Sequence, residues 1–274
     1  MLRVATLNCW NVCGPFEERA PLIRAAIAAL RPDVIGLQEI VVRRDGFDEA
    51  AVLLDGLGYR HIHGPAFRWT ATEPLLPFEH PESDAFGNVI ATRWPIREHA
   101  LCALPGAETG ERRSVLGALV ETPGGIVPFV TTHLNWRVDH GSVRERQVVA
   151  VADFVATWSA GGTFPPVLVG DLNAEPDSTE IRFLCGLTSL AGRSTYFQDA
   201  WRVAGTGPGC TWDNRNPYAA LGFERDRRID YVLVGAPDRA GGRGWVESAR
   251  LAFDQPAGDV FPSDHFGLVV DLRA

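Results

Sequence analysis

No stretch of the 274-residue sequence approaches the roughly 18 consecutive apolar residues that a membrane-spanning helix requires, so a helical span is excluded. The amino terminus, MLRVATLNCW, lacks the basic start, apolar run and small-residue cleavage site of a secretory signal. These absences predict a soluble, cytoplasmic protein. Positive charge is also in deficit, with 26 basic residues against 34 acidic and a formal net charge of −8. That balance argues against tight, non-specific gripping of nucleic acid, which rests on a basic field. It does not exclude a nuclease, because a divalent-cation site is itself rich in carboxylates and the ion reverses the local sign. Cysteine is sparse and scattered. Cys9, Cys13, Cys102, Cys185 and Cys210 form none of the close pairs that hold zinc or run redox chemistry, and they read as small buried hydrophobes. No internal repeat, low-complexity tract or interdomain linker is visible.

What is present is an ordinary globular composition, 46% hydrophobic and 22% charged, with enough apolar residues for a substantial core. One domain over residues 1–274 is expected. Apolar spacing predicts a strand at Leu2–Asn8, a helix at Glu17–Leu30, a strand at Val34–Ile40 and a helix at Phe47–Leu57 stopped by Gly58. Strands follow at Asn88–Arg93, Val115–Glu121 and Ile126–His133, the last two joined by Pro123-Gly124-Gly125. A helix over Ser142–Trp158 precedes the wholly apolar Val167–Gly170, which reads as a buried central strand. Further strands are predicted at Ile229–Val234, Val246–Phe253 and Phe266–Leu272, and an irregular rim loop at Pro65–Ala85. Mixed strands and helices with hairpins in both halves predict two packed sheets flanked by helices.

Polar residues recur where apolar runs end: Asn8 in ATLNCWN, Glu39 in IGLQEI, His133 and Asn135 in VTTHLN, Asp171 and Asn173 in VLVGDLN, Asp230 in RRIDYVLV, and Asp264-His265 in PSDHFG. Singly, each is explained as a turn amide, a solvated carboxylate or a structural histidine. Together they point to one sheet edge, since carboxylates and amides that follow buried strands are costly to leave unpaired. Oxygen ligands from Glu39, Asp171 and Asp264, with the amides of Asn8 and Asn173, suit Mg²⁺ or Mn²⁺ better than zinc. His61 and His63 alternate on one strand face, as surface residues do, and are not expected to bind metal.

The ordered set LNCWN, LQEI, THLN, GDLN, RRIDYVLV and SDHFG resembles the endonuclease/exonuclease/phosphatase superfamily, from about residue 2 to residue 272. The resemblance implies a DNase I-like four-layer α/β sandwich of two mixed β-sheets flanked by helices. It implies a metal held by Glu39 with Asn8 beside it, Asp264 and Asp171 assisting. Asp171 would orient or deprotonate the attacking water, and Asn173 would hold a phosphate oxygen. His265 would contact the scissile phosphate, with Asp230 fixing its tautomer, and His133 would be the candidate general acid. Asn135 and Arg144 are expected on the substrate side. Arg144 and Gln147, in SVRERQ, resemble a family helix motif, although an exposed helix face explains them equally well.

The implied activity is hydrolysis of a phosphoester by in-line attack of water. A small soluble substrate is favoured. A nuclease would use the short basic clusters Arg43-Arg44, Arg112-Arg113 and Arg225, Arg227, Arg228. A sphingomyelinase-like lipid phosphodiesterase would show a membrane anchor, and none is visible. A catalytically inert binding scaffold is the non-enzymatic alternative. Trp10, Trp136 and Trp212, with Phe67 and Trp69, are core residues or else a rim that stacks on a base or meets lipid. Oligomeric state is left open, and a monomer is compatible with the sequence.

Overall fold

The structure is a computed structural model that describes residues 1–67 and 83–274. Two six-stranded sheets pack face to face. The first contains β1 (Leu2–Asn8), β2 (Val34–Arg43), β3 (Arg60–Phe67), β4 (Ser83–Thr92), β11 (Val246–Ala252) and β12 (Gly267–Leu272). Its spatial order is β11-β12-β1-β2-β4-β3. The second contains β5 (Ile96–Ala103), β6 (Ser114–Thr122), β7 (Gly125–His133), β8 (Val167–Asp171), β9 (Gln198–Asp199) and β10 (Asp230–Val234). Its order is β5-β6-β7-β8-β10-β9. Both sheets are mixed. β1 runs parallel to β2 and β7 parallel to β8, while every other strand pair is antiparallel.

Each central strand is apolar on both faces because both are covered. In β1, Val4 enters the layer between the sheets with Phe129, Val169, Val232 and Leu268. Its neighbour Ala5 faces outward and packs with Ile23 and Ile27 of α1 (Phe16–Leu30) and Leu53 of α2 (Glu49–Leu54). In the second sheet, Val130 and Leu168 face Val148 and Val151 of α3 (Gly141–Trp158) and Phe183 of α4 (Thr179–Leu184). The layers are therefore helix, sheet, sheet, helix, the four-layer sandwich the sequence motifs implied. Among the described residues, no helix is long and apolar enough to cross a membrane.

Strands β3 and β5 were not legible from apolar patterning, because they lie at sheet edges and are mostly half-buried or exposed. Both ends of the expected rim loop at 65–85 are strand instead: β3 continues through Phe67 and β4 begins at Ser83, with Phe67 stacked on Phe86 at 5.3 Å. The remainder, including Trp69, lies outside the described residues. The second helix is shorter than predicted because the Asp48 carboxylate caps it, accepting from the Ala51 N–H at 3.2 Å. His61 spends its Nε2 on Asp48 at 3.2 Å. The short elements α4, α5 (Ala200–Ala204), α6 (Pro217–Ala220) and β9 carry too few residues to show a period.

The two sheets are stitched together near the functional end. The Thr6 hydroxyl donates to Gln38 Oε1 at 3.1 Å, and Gln38 Nε2 donates to the Thr131 hydroxyl of the other sheet at 2.9 Å, all three being fully buried. Beside this stitch, Gly36 permits the closest approach: a Cβ there would lie 2.5 Å from a Val169 methyl and 2.8 Å from Thr131 Oγ1. Gly36→Ala is expected to destabilise the fold by about 1–3 kcal/mol through overpacking. In urea unfolding, the midpoint should fall with the slope unchanged. A midpoint equal to that of the parent protein would mean the sheets have room to part.

Candidate active site

Strand register assembles the first part of the site. In the second sheet His133 pairs with Asp171 across β7 and β8, and Asp171 pairs with Asp230 across β8 and β10. Three strand ends thus set an imidazole and two carboxylates in one row. Gly170 makes this possible: it has φ +140°, and a Cβ would fall 1.9 Å from the Thr132 carbonyl oxygen. In the first sheet, Glu39 would alternate away from its neighbour Gln38 and face the helix layer. Instead β2 loses register with β4 between Leu37 and Ile40, and Glu39 takes φ +61°. This bulge turns its carboxylate toward the second sheet, at a backbone strain of order 1–3 kcal/mol.

Asn8 joins the two halves. Its Nδ2 donates to Glu39 Oε1 and to Asp171 Oδ2, each at 3.1 Å, while its Oδ1 accepts from the Trp10 N–H at 3.0 Å. Asn11 Nδ2 donates to Glu39 Oε2 at 3.1 Å. Asp171 Oδ2 lies 3.4 Å from His133 Nε2 and 3.8 Å from His265 Nε2, and its Oδ1 accepts from the Asn173 N–H at 2.9 Å. The Asn173 amide, on a left-handed backbone (φ +47°), contacts His133 Nε2 at 3.0 Å and donates to the Leu134 carbonyl at 3.2 Å. His265 Nδ1 donates to Asp230 Oδ2 at 2.9 Å. The Ser263 hydroxyl contacts the Asn8 carbonyl at 2.6 Å and Asp264 Oδ1 at 3.1 Å, which ties the Asp264-His265 segment to β1.

The charges of this cluster follow from burial. Burial pushes Asp171 up to about 7, with Asp230 adding to the rise, and pushes Asp264 up to about 6. Burial opposes charge on His265, but Asp230 beside it and the two further carboxylates overcome this and raise it to about 10. His133 is driven well below its ordinary value by burial, with Arg113 and His265 adding to the fall, so it rests neutral. The amide of Asn173 then supplies the hydrogen to Nε2, and the Nδ1–H of His133 has no hydrogen-bond acceptor, Glu39 Oε1 being 3.9 Å away.

Asp171, Asp230 and His265 form a buried group whose ligand atoms all lie within 4.8 Å of one another, a set able to hold a metal ion. The hydrogen bond between His265 and Asp230 already satisfies part of that set. Glu39 and Asp264 lie outside that group; burial raises Asp171 and Asp264, and Asn11 adds a buried Oδ1 with no hydrogen-bond partner, oxygens of the kind a divalent cation takes.

Of the residues predicted from the sequence, Asn8, Glu39, His133, Asp171, Asn173, Asp230, Asp264 and His265 meet in this one region through the contacts above. Three have other employment than expected. Asn8 meets the carboxylates as a donor, and the oxygen a metal would need is turned to Trp10. Asn135 gives its side-chain amide to Glu111 at 2.6 Å and accepts from the Arg137 N–H at 3.1 Å. Arg144 is neither on the substrate side nor on an exposed face. It is buried, pairs with Glu180 at 3.0 Å and donates to the carbonyls of Asn135, Arg137 and Val138. Both residues brace the turn that follows β7.

Sequence patterning did not reveal several contributors. Asn11 sits inside the quoted LNCWN motif, so its signal was at hand. Thr211 follows no apolar run, and its hydroxyl accepts from the Ile229 and Asp230 N–H groups; beside it Trp212, named from the sequence as a core or rim residue, stands edge-on to His265 at 5.0 Å. Arg19 falls on the buried α1 stripe of Ile23 and Ile27, which was the visible clue. It is 0% exposed and directs its guanidinium to the carbonyls of Cys9, Trp10, Asn11, Cys13 and Pro262 at 2.7–3.3 Å. One side chain thereby holds the loop after β1 against the segment before Asp264.

The profile of the Endonuclease/Exonuclease/phosphatase family matches residues 5–265 of the chain. The chain is similar to Nocturnin of Xenopus laevis, at 27% identity over 94% of this chain and 64% of that protein. It is also similar to Tyrosyl-DNA phosphodiesterase 2 of Xenopus laevis, at 22% identity over 97% of this chain and 66% of that protein. It thus spans just under two thirds of these relatives' lengths. The solved endonuclease/exonuclease/phosphatase from Beutenbergia cavernae superposes with a TM-score of 0.72 at 28% identity, covering 99% of this chain and 71% of that one.

Arg19→Met is expected to lower stability by more than about 3 kcal/mol, since several buried carbonyls lose their donor at about 1–3 kcal/mol each. Arg19→Lys, with a point charge in place of a fork, should recover only part of the loss. Thermal unfolding curves matching the parent protein for Arg19→Met would show that the carbonyls find other donors.

Proposed function

The chain belongs to the endonuclease/exonuclease/phosphatase family, a family of phosphoester hydrolases, and from that premise we propose that it hydrolyses a small soluble phosphoester using water and Mg²⁺ or Mn²⁺. The observation that carries this reading is the contact of Asn8 with both Glu39 and Asp171, which draws carboxylates from two sheets together beside two histidines of opposite character. Glu39, Asp264 and Asp171 would hold the ion. What a bound cation supplies there is neutralisation of charge on the non-bridging phosphate oxygens.

The chain's own groups divide the remaining work. Asp171, whose Oδ2 lies 3.4 Å from His133 Nε2 and 3.8 Å from His265 Nε2, is placed to take a proton from the attacking water. His265, kept cationic by Asp230, faces the charge that develops on phosphorus oxygens in a water-poor setting. Asn173 holds a phosphate oxygen by turning one amide hydrogen away from His133. His133, expected as a general acid, rests neutral, so what it offers a phosphate or leaving oxygen is an N–H hydrogen bond. The Ser263 hydroxyl is engaged with the Asn8 carbonyl, which argues against it as a nucleophile and supports water in that role.

The name of the tyrosyl-DNA phosphodiesterase 2 relative supports a second reading, a DNA phosphodiester substrate. The net charge of −8 weighs against long duplex DNA, whose binding draws on many Lys and Arg contacts.

Hydrolysis of bis-p-nitrophenyl phosphate should require Mg²⁺ or Mn²⁺ and stop on adding EDTA. Glu39→Gln should raise the metal concentration needed for half-maximal rate while leaving the thermal midpoint near that of the parent protein. Parent-like activity of Glu39→Gln at limiting metal would remove Glu39 as a ligand, and inactivity of the parent on every phosphoester tried would leave the inert scaffold. The His265–Asp230 pair makes a separate prediction. Asp230→Asn and His265→Ala should each lower kcat by roughly 10²–10⁴, and the double variant by far less than the product of the two. Additive losses in ΔΔG‡ would mean the two groups act apart.

A further inference from the structure

The turn that follows His133 is built with more internal support than an idle surface loop needs. Its backbone is held from three sides. Gln147 of α3 accepts from the Asn135 N–H at 2.9 Å, and Glu111 accepts from the Asn135 side chain at 2.6 Å and the Trp136 N–H at 3.4 Å. Arg144 caps the carbonyls of 135, 137 and 138. Asn135 and Gln147 are fully buried, and Arg144 forms a buried ion pair with Glu180. At its root, Leu134 is tied to the catalytic strand end through the Asp171 carbonyl at 3.0 Å and the Asn173 side chain at 3.2 Å. Four buried polar side chains thus fix a short turn whose outward product is Trp136, 47% exposed, with the exposed Arg137 guanidinium 5.8 Å from its ring centroid.

A large exposed ring is unfavourable in water, and a rigid one loses little conformational entropy when a ligand covers it. A ring flanked by a guanidinium suits a flat, electron-rich group that carries negative charge nearby. Trp136 is two residues beyond Leu134, whose N–H and carbonyl are bonded to Asp171 and Asn173, so the ring stands within two residues' reach of the catalytic strand end and would meet a part of the substrate beyond the scissile phosphate. We propose that Trp136, with Arg137, is a stacking subsite for a planar base, and that the substrate is a phosphoester bearing a nucleobase. This rests on the phosphoesterase reading for its location, and it narrows that reading from any compact phosphoester to a nucleotide or a nucleotide chain end. A second exposed apolar tip, Leu221 with Phe223 (97% exposed), has no cation stacked on it among the described residues and marks the competing lipid occupant.

Binding separates this proposal from the catalytic one. Calorimetric titrations with adenosine 5′-monophosphate and with ribose 5-phosphate, in Mg²⁺, differ only in the base. The parent protein should bind the nucleotide about 10-fold tighter or better. Trp136→Ala should bring the ratio of the two affinities close to one, Trp136→Phe should keep most of it, and Arg137→Ala should reduce it. Thermal midpoints near the parent value, expected for a half-exposed side chain, show that the variants are folded. If base preference is present and lost in Trp136→Ala while no phosphoester is hydrolysed, the subsite stands and the hydrolytic reading falls. Equal affinity of the parent for both ligands overturns the subsite even if hydrolysis is robust. So does a nucleotide preference that survives Trp136→Ala, or binding to sphingomyelin vesicles that depends on Phe223 without any base preference. A short single-stranded oligonucleotide binding more tightly than the mononucleotide, still through Trp136, identifies a chain end as the source of the base.

Discussion

One buried guanidinium sets the geometry on which the rest of the site depends. Arg19 reaches from the first helix into the space between the loop after β1 and the segment before Asp264, and spends its donors on five carbonyls. Burial lowers its pKa, and the nearby Glu49 and Asp264 carboxylates counter this. A lysine could not do the same work, because a compact ammonium cannot address carbonyls on two separate segments in a plane. The loop that Arg19 shapes carries Asn11, which orients Glu39. The segment it fastens carries Asp264 and His265.

Half of the non-glycine residues with positive φ among the described residues fall in this same region. Glu39, Asn173, Trp10 and Asn11 all have positive φ without being glycine, and each is in or next to the cluster. Strain of this kind persists only where surrounding structure over-determines it, here through the Arg19 carbonyl cradle, the Gln38–Thr131 stitch and the Asn8 bridge. The electrostatics have the same origin. Carboxylates brought to the seam of two sheets are desolvated together, which raises Asp171 and Asp264, holds His265 positive and leaves His133 neutral. Two histidines a few ångströms from one Asp171 oxygen thus differ in charge because only one has a carboxylate on its second nitrogen.

Much of this is legible in the amino-acid sequence. Apolar runs that end at Asn8 and Asp171, start after Asp230 or are interrupted at Glu39 mark central strands and their functional positions, because a buried strand leaves a continuous hydrophobic signal and a site residue breaks it. The edges β3 and β5 are illegible for the converse reason: half-exposed strands need no apolar pattern. Side-chain duty is the weaker inference. A sequence shows that Asn135 and Arg144 stand near the site, but not that Glu111, Gln147 and Glu180 come from distant segments to occupy them. The orientation of Asn8 is hidden likewise, since only the Trp10 N–H decides which end of the amide faces the carboxylates. Thr211 and Trp212 support Asp230 and His265 from an irregular segment, where periodicity has nothing to report.

The pairing of β1 with β12 joins Leu2 to Leu272. β1 therefore leaves the ribosome before the other strands of this fold, and the partner that completes its edge leaves after them, with Asp264 and His265 arriving just ahead of it. Strands β5 to β10 are contiguous in the chain and can settle as a sheet during synthesis. The first sheet has to wait, with the edge of β1 unpaired and the apolar faces of β1 and β2 only partly covered. Closing so long a loop adds little entropy per extra residue but defers the contact in time. During translation, then, the half of the molecule that carries Glu39 is the half most open to aggregation and most dependent on holding factors.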